Sequence, residues 1–206
     1  MSGNYHHGDL KSALLSYARE QLEGAGLDGL SMREMAKAVG VSHTAAYRHF
    51  QDKQSLLDAV AAQGFEEMQQ ACRSALDAAA PDARARLKAS GLSYVDFGIQ
   101  HPRLLAHMFS AVARPQTTEG LASAGAQYFD VLRRLVEAGQ EEGAFNMGDA
   151  RQVAHACWAM VHGLSSLMGL GILQLQSATH AALMAYADQA IEVFLRGVES
   201  AEGGKN

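Results

Sequence analysis

The sequence predicts an all-α protein: a three-helix N-terminal domain with a helix-turn-helix, then a bundle of about six helices that pairs two-fold with a second copy. Three observations predict the class. Alanine is abundant and the three prolines all fall between Pro81 and Pro115, a composition that favours helix almost throughout. Apolar residues recur at helical spacing, and no stretch alternates with period two for long enough to make a strand. Apolar residues make up 48% of the chain and charged residues 19%, which suits a packed core and not a disordered chain.

Leu10, Leu14, Ala18, Leu22 and Ala25 form a helical stripe over 9–25 that ends near Gly24 and Gly26. Ser31-Met32-Arg33-Glu34 is a capping box, in which the serine caps a helix whose third residue reaches back to it. That helix turns Met35, Ala36 and Val39 inward and stops at Gly40, a residue suited to a left-handed turn. Ser42 caps a second short helix through Ala46 to about Phe50. Asp52 can cap a long helix beginning at Lys53, with Leu56, Leu57, Val60 and Phe65 on its apolar side. Further amphipathic helices are expected near 83–99, 102–113, 120–142, 149–175 and 179–197. Breaks fall at Pro81, Pro102, Pro115, Gly143 and Ser177. The expected domains are 1–54 for the helix-turn-helix, 55–200 for the C-terminal helical bundle, and 201–206 as a flexible tail.

The net charge of −5 does not advertise a nucleic-acid binder, but it is unevenly spread. Residues 1–54 carry six Lys/Arg against six Asp/Glu, so the acidity lies entirely beyond them. That balance permits DNA binding. Cys72 and Cys157 show no CxxC spacing, and the start of the chain is polar with no signal-like apolar run; both point to a reducing cytoplasm. Residues 152–187 contain no Lys, Arg, Asp or Glu, yet His155, His162, Ser165 and Ser166 interrupt them and basic flanks are missing. A helix buried in protein is expected there, not a membrane span.

The two short helices joined by Val39-Gly40-Val41-Ser42 form a helix-turn-helix signature. The second helix must offer its first turn to base edges in the major groove while the first braces across the backbone. Ala36, Val39, Val41 and Phe50 supply the seam between them. By spacing alone, a generic αα-hairpin stays open.

The residues Ser42-His43-Thr44-Ala45-Ala46-Tyr47-Arg48-His49-Phe50, followed by Asp52-Lys53, resemble the tetracycline-repressor (TetR) family of transcriptional regulators. The Tyr5-His6-His7-Gly8-Asp9-Leu10 segment and the run from Leu27 to Ala36 match the same pattern, so the resemblance covers about residues 5–60. Position 46 is alanine where the family often has a larger apolar residue, which implies a looser seam. The resemblance implies that His43, Thr44 and Ala45 face bases, with Arg33 reaching in from the preceding helix. It implies phosphate contacts at Tyr47, His49 and Lys53, with Ser31 able to join them. Ser42, which opens the helix, and Arg48, which solvent alone could claim, complete the candidate DNA-binding set.

Trp158-Ala159-Met160-Val161-His162-Gly163 resembles the Trp-x(3)-His-Gly element of the family's WHG-type C-terminal domain. Two readings stay open for it: a helix lining a ligand cavity, or a core helix whose Trp158 and His162 satisfy a buried hydrogen bond. Tyr94, Phe97, His107, Met108, Phe109, Tyr128 and Phe129, with Trp158 and His162, are the candidate pocket, because aromatic and methionine side chains with a few polar tips suit a small apolar ligand. An ordinary core would have the same composition.

Operators of two-fold symmetry call for a homodimer. The last two helices are the expected interface. Ala156, Gly163, Ser166, Ala182 and Ala185 allow close approach there, and Leu167, Leu170, Ile191 and Phe194 supply burial. The resemblance implies a repressor released from operator DNA when a small-molecule ligand shifts the helix starting at Lys53; an activator is the other sign. No nucleophile elbow, phosphate loop, HExxH or paired carboxylate points to an enzyme. Nine histidines show no compelling metal spacing, so no metal and no cofactor is expected. A ligand-binding sensor or scaffold that lacks operator binding is the remaining rival.

Overall fold

The computed structural model describes residues 7–27, 30–173, 175 and 178–199. The expected tail at 201–206, the break at Ser177, and the Tyr5-His6 and Asp28-Gly29 pieces of the N-terminal pattern lie outside the described residues. Nine helices are present among those described: α1 His7–Glu23, α2 Met32–Ala38, α3 His43–Tyr47, α4 Lys53–Ala78, α5 Ala83–Gln100, α6 Pro102–Val112, α7 Glu119–Glu141, α8 Ala150–Gly169 and α9 His180–Val198. None of them is long and apolar enough to cross a membrane.

The helix starts follow local chemistry. Asp82, Asp149 and Thr179 cap α5, α8 and α9, each accepting from a backbone amide of the first turn. Asp52 does the same for α4, its carboxylate accepting from the Ser55 amide at 2.7 Å while Ser55 Oγ accepts from the Asp52 amide. Two ends differ from expectation. The second short helix stops at Tyr47, short of Phe50, and α8 stops at Gly169, short of 175. Gly171 adopts φ +70°, and the amides of Gly171 and Ile172 return to the carbonyls of Met168 and Leu167. A left-handed glycine closed by those two bonds ends a helix whatever apolar sequence follows.

The chain divides into two compact units. The first holds residues up to Phe65 together with Arg103–Ala124; the second holds Glu66–Pro102 and the chain from Gly125 onward. The first unit therefore takes in the opening half of α4 and α6 from Arg103 onward, where the sequence reading ended it at residue 54. Side-chain pairing is the physical reason. In this unit Met108 lies against Gly64, Phe109 meets Phe65 edge-on, and His107 Nε2 bonds the Leu57 carbonyl at 3.0 Å. Arg114 pairs with Asp58, and Arg103 bonds the carbonyls of Glu23 and Gly24 at the end of α1. Leu14, Met35, Leu56 and Leu104 are fully buried at its centre.

In the second unit α5 packs on α8 and α9. Arg84 and Lys88 of α5 clamp α9: Arg84 pairs with Glu192 and Glu199, and Lys88 with Asp188 at 2.8 Å and Glu192 at 2.7 Å. Hydrogen bonds from Arg84, then Lys88, hold the Glu192 carboxyl down to about 2. At the end of α7 the buried Phe145 ring folds back onto Gly139. A Cβ at position 139 would meet that ring at 2.1 Å. Gly139→Ala is expected to destabilise the protein by about 2 kcal/mol, because a sealed aromatic cannot retreat. Chemical denaturation should read this as a lower midpoint with an unchanged slope.

Candidate nucleic-acid interface and regulatory cavity

The helix-turn-helix is assembled from short-range bonds. Ser31 Oγ accepts from the Glu34 amide at 3.2 Å while Glu34 Oε2 accepts from the Ser31 amide at 2.8 Å, a reciprocal box that starts α2. Gly40, at φ +78°, ends it, with the Gly40 and Val41 amides bonded to the carbonyls of Lys37 and Ala36. Ser42 Oγ then accepts from the Ala45 amide at 3.2 Å and opens α3. Met32, Met35 and Ala36 of α2 and Ala46 and Phe50 around α3 are buried, and Val39 and Val41 are half-buried between them.

Fixing Ala46 inward turns the rest of α3 outward. His43, Thr44, Tyr47 and Arg48 are exposed, as are Ser31, Arg33 and Ser42, while Ala45, His49 and Lys53 are half-buried. Tyr47 is 46% exposed, far too open for a packing residue of its size. Its ring meets the His43 ring edge-on at 5.5 Å, so two of the candidate contacts brace each other one turn apart. Sequence reasoning did not anticipate that pairing, although the i, i+4 spacing of two rings signals it. Lys53 Nζ donates to the Leu27 carbonyl at 2.9 Å. This bond positions the ammonium and leaves it two further donors. The hydroxyls of Ser31 and Ser42 accept from backbone amides and keep their own protons for an anionic oxygen.

The second unit holds a small, partly open cavity with about 30 Å³ of free space. Of the nine pocket candidates, Tyr94, Tyr128 and Trp158 line it. His162 joins them through Tyr94, whose hydroxyl lies 2.7 Å from His162 Nδ1 and accepts from Trp158 Nε1 at 3.4 Å. Burial lowers the His162 pKa and favours the neutral ring, which in its Nε2-protonated tautomer accepts the Tyr94 hydroxyl at Nδ1. Trp158 and His162 thus both meet the Tyr94 hydroxyl, and Trp158 also forms part of the cavity wall.

The other candidates go elsewhere. Phe129 stacks on His155 at 4.6 Å and stands 6.2 Å from Trp158. Phe97 borders a separate surface depression with Asp96 and Met184. His107, Met108 and Phe109 are corrected outright: they belong to the first unit, held by the α4 contacts described above. Cys72, Ser90, Gly91 and Ile191 line the cavity and were missed. Ser90-Gly91, a small polar pair on the buried side of α5, is the signal that could have found two of them.

Among the interface candidates, Ala156, Leu167, Leu170, Ala182 and Ala185 are exposed, and Gly163, Ser166 and Phe194 are half-buried. Leu170 is 74% exposed, and Val193 and Tyr186 of α9, not anticipated, are exposed beside these positions in the helical repeat. Ile191 is a correction. It is 2% exposed and faces Gly91 inside its own protomer, so it is not available to a partner.

The family described as "Bacterial regulatory proteins, tetR family" matches residues 14–60, and that described as "Tetracyclin repressor-like, C-terminal domain" matches residues 87–194. The chain belongs to the TetR family. It is therefore a DNA-binding transcriptional regulator, not an enzyme. A solved protein of unknown function from Rhodococcus sp. RHA1 is 36% identical to this TetR-family chain, covering 96% of it and 99% of itself, with a TM-score of 0.85. A TetR-family bacterial regulatory protein from Rhodococcus RHA1 shares the fold at 23% identity, covering 93% and 98% of the two chains with a TM-score of 0.71. The class C tetracycline repressor protein of Escherichia coli is 41% identical over 51 residues, which is 25% of this chain and 23% of that repressor. The C-terminal match is to the tetracyclin repressor-like description, and it adds no support for the WHG subtype. Regulators of this family bind operator DNA and act as dimers.

Proposed function

We propose that this TetR-family regulator is a cytoplasmic repressor, bound as a homodimer to a two-fold operator and released when a small molecule occupies the cavity of its C-terminal unit. The outward face of α3 carries the reading. Thr44 and His43 stand in its first turn, with a donor, a hydroxyl and a methyl for base edges. Tyr47, His49 and Lys53, with the two serine caps, flank them as phosphate contacts that fix register. Ala156 and Leu167 on α8, Leu170 just after it, and Ala182 and Tyr186 on α9 form the apolar surface through which a partner would set the half-site spacing at about 34–36 Å or a multiple of it.

Selection from random duplexes tests the reading: the sites recovered should be two-fold symmetric and bound at two chains per site. Lys53→Ala should then weaken every sequence by a similar factor and reduce the slope of log affinity against log salt by about 1, the loss of one phosphate contact. Lys53→Arg should restore the slope. Salt-insensitive binding by the unaltered protein, or a single chain per site, would sink the proposal.

A further inference from the structure

The walls of the cavity in the second unit specify what it can hold. Leu87, Val131, Val161, Ile191 and Leu195 surround the space, and no Lys, Arg, Asp or Glu among the described residues lines it. An ionised molecule entering would surrender its hydration with no countercharge in return, a cost that shuts it out. Most of the polar groups present are already engaged. The Tyr94 hydroxyl is shared between His162 and Trp158. Cys72 Sγ donates to Ser90 Oγ at 3.5 Å.

Tyr128 is not engaged. It lines the cavity at 9% exposure, and its hydroxyl makes no hydrogen bond with any described residue. Burial raises its pKa well above the usual tyrosine value, so it stays a protonated, neutral donor. Buried hydroxyls are normally paired. On a tyrosine that lines an apolar space, an unpaired hydroxyl is the group able to donate to an incoming acceptor.

We propose that the cavity takes a compact, uncharged, mainly hydrocarbon molecule bearing one hydrogen-bond acceptor, a ketone or ether oxygen, which receives the Tyr128 hydroxyl. This rests on reading the cavity as the effector site. The free space of about 30 Å³ is well below the roughly 150 Å³ in which an apolar cavity holds benzene. Entry therefore requires the walls to part, and Leu132, Met160 and Phe194 are among the half-buried lining residues that have room to move. A ligand that fits only the expanded arrangement has the differential affinity that a population shift demands.

Cyclohexanone, methylcyclohexane and cyclohexanecarboxylate have similar bulk and differ at one group. Their binding to the full-length protein can be followed by calorimetry, melting temperature and the emission of Trp158, the chain's one tryptophan. Cyclohexanone should bind saturably, and Tyr128→Phe should weaken it about fivefold, the worth of one neutral hydrogen bond. Methylcyclohexane should bind both proteins equally, and the carboxylate neither. Gly91→Ala, which sets a methyl 3.2 Å from Ile191 Cδ1 at the wall, should weaken the ketone and the hydrocarbon alike. Binding of the carboxylate, indifference of the ketone to Tyr128→Phe, or no binding of ketone or hydrocarbon overturns the inference. Operator affinity is measured separately: a ketone that binds as expected yet leaves DNA affinity untouched upholds the ligand class and removes the effector role.

Discussion

Replacing Arg114 with methionine is expected to destabilise the protein by about 2–3 kcal/mol and to lower its melting temperature by roughly 6–10 °C. Asp58 is 2% exposed in the middle of an otherwise apolar face of α4, with Leu57 beside it and Val60 and Ala61 on the next turn. Its carboxylate accepts from Arg114 and, at 2.9 Å, from Gln54 Nε2. Removing the guanidinium leaves a buried charge with one neutral partner, the costliest way to break such a pair. The figure sits below that of a fully buried pair because Arg114 is itself 31% exposed, so solvent screens part of the attraction. The double variant Asp58→Leu/Arg114→Met removes both charges and should recover most of the loss. Thermal denaturation of the two single variants and the double settles it: three equal melting temperatures would mean that the pair does no structural work.

The DNA-binding head was legible in the sequence because its rules are local. A capping box, a left-handed glycine and a serine cap each act over three or four residues, and all three stand where the residues put them. The cavity was only partly legible because it is built by convergence. Cys72, Ser90, Tyr128, Trp158 and Ile191 come from five helices, and each alone reads as an ordinary core residue. The misplacement of His107, Met108 and Phe109 has the same origin, since an aromatic and methionine cluster looks alike in any core. What ties α6 and the turn after it into the first unit is partly polar: Arg103, His107 and Arg114 find partners 50–80 residues away along the chain. Charge pairing at that range leaves no periodic trace in a sequence. Ile191 failed as an interface residue for a related reason. Apolar residues lie on both sides of α9, and the covered side is set by Ile191 packing on Gly91 together with the Arg84 and Lys88 clamp on Asp188 and Glu192.

Thr44→Glu should separate folding from function more sharply than any other single change. Thr44 is exposed in the first turn of α3, beside the amide-rich end that Ser42 caps. A carboxylate there interacts favourably with the free N–H groups of the helix, so the melting temperature should hold or rise slightly. Facing DNA, the same carboxylate meets the phosphate field at the entrance of the groove and removes a hydroxyl from the base edges. Repulsion and the lost contact together should cost about 100-fold or more in affinity for the selected operator. A glutamate can still accept from the amino group of cytosine, so whatever binding survives should shift towards sites with cytosine at the contacted position. Gel-shift titrations of the parent and variant sites, run beside a melting curve, would show both effects. An operator affinity unchanged by this substitution would mean that α3 does not enter the groove by its first turn.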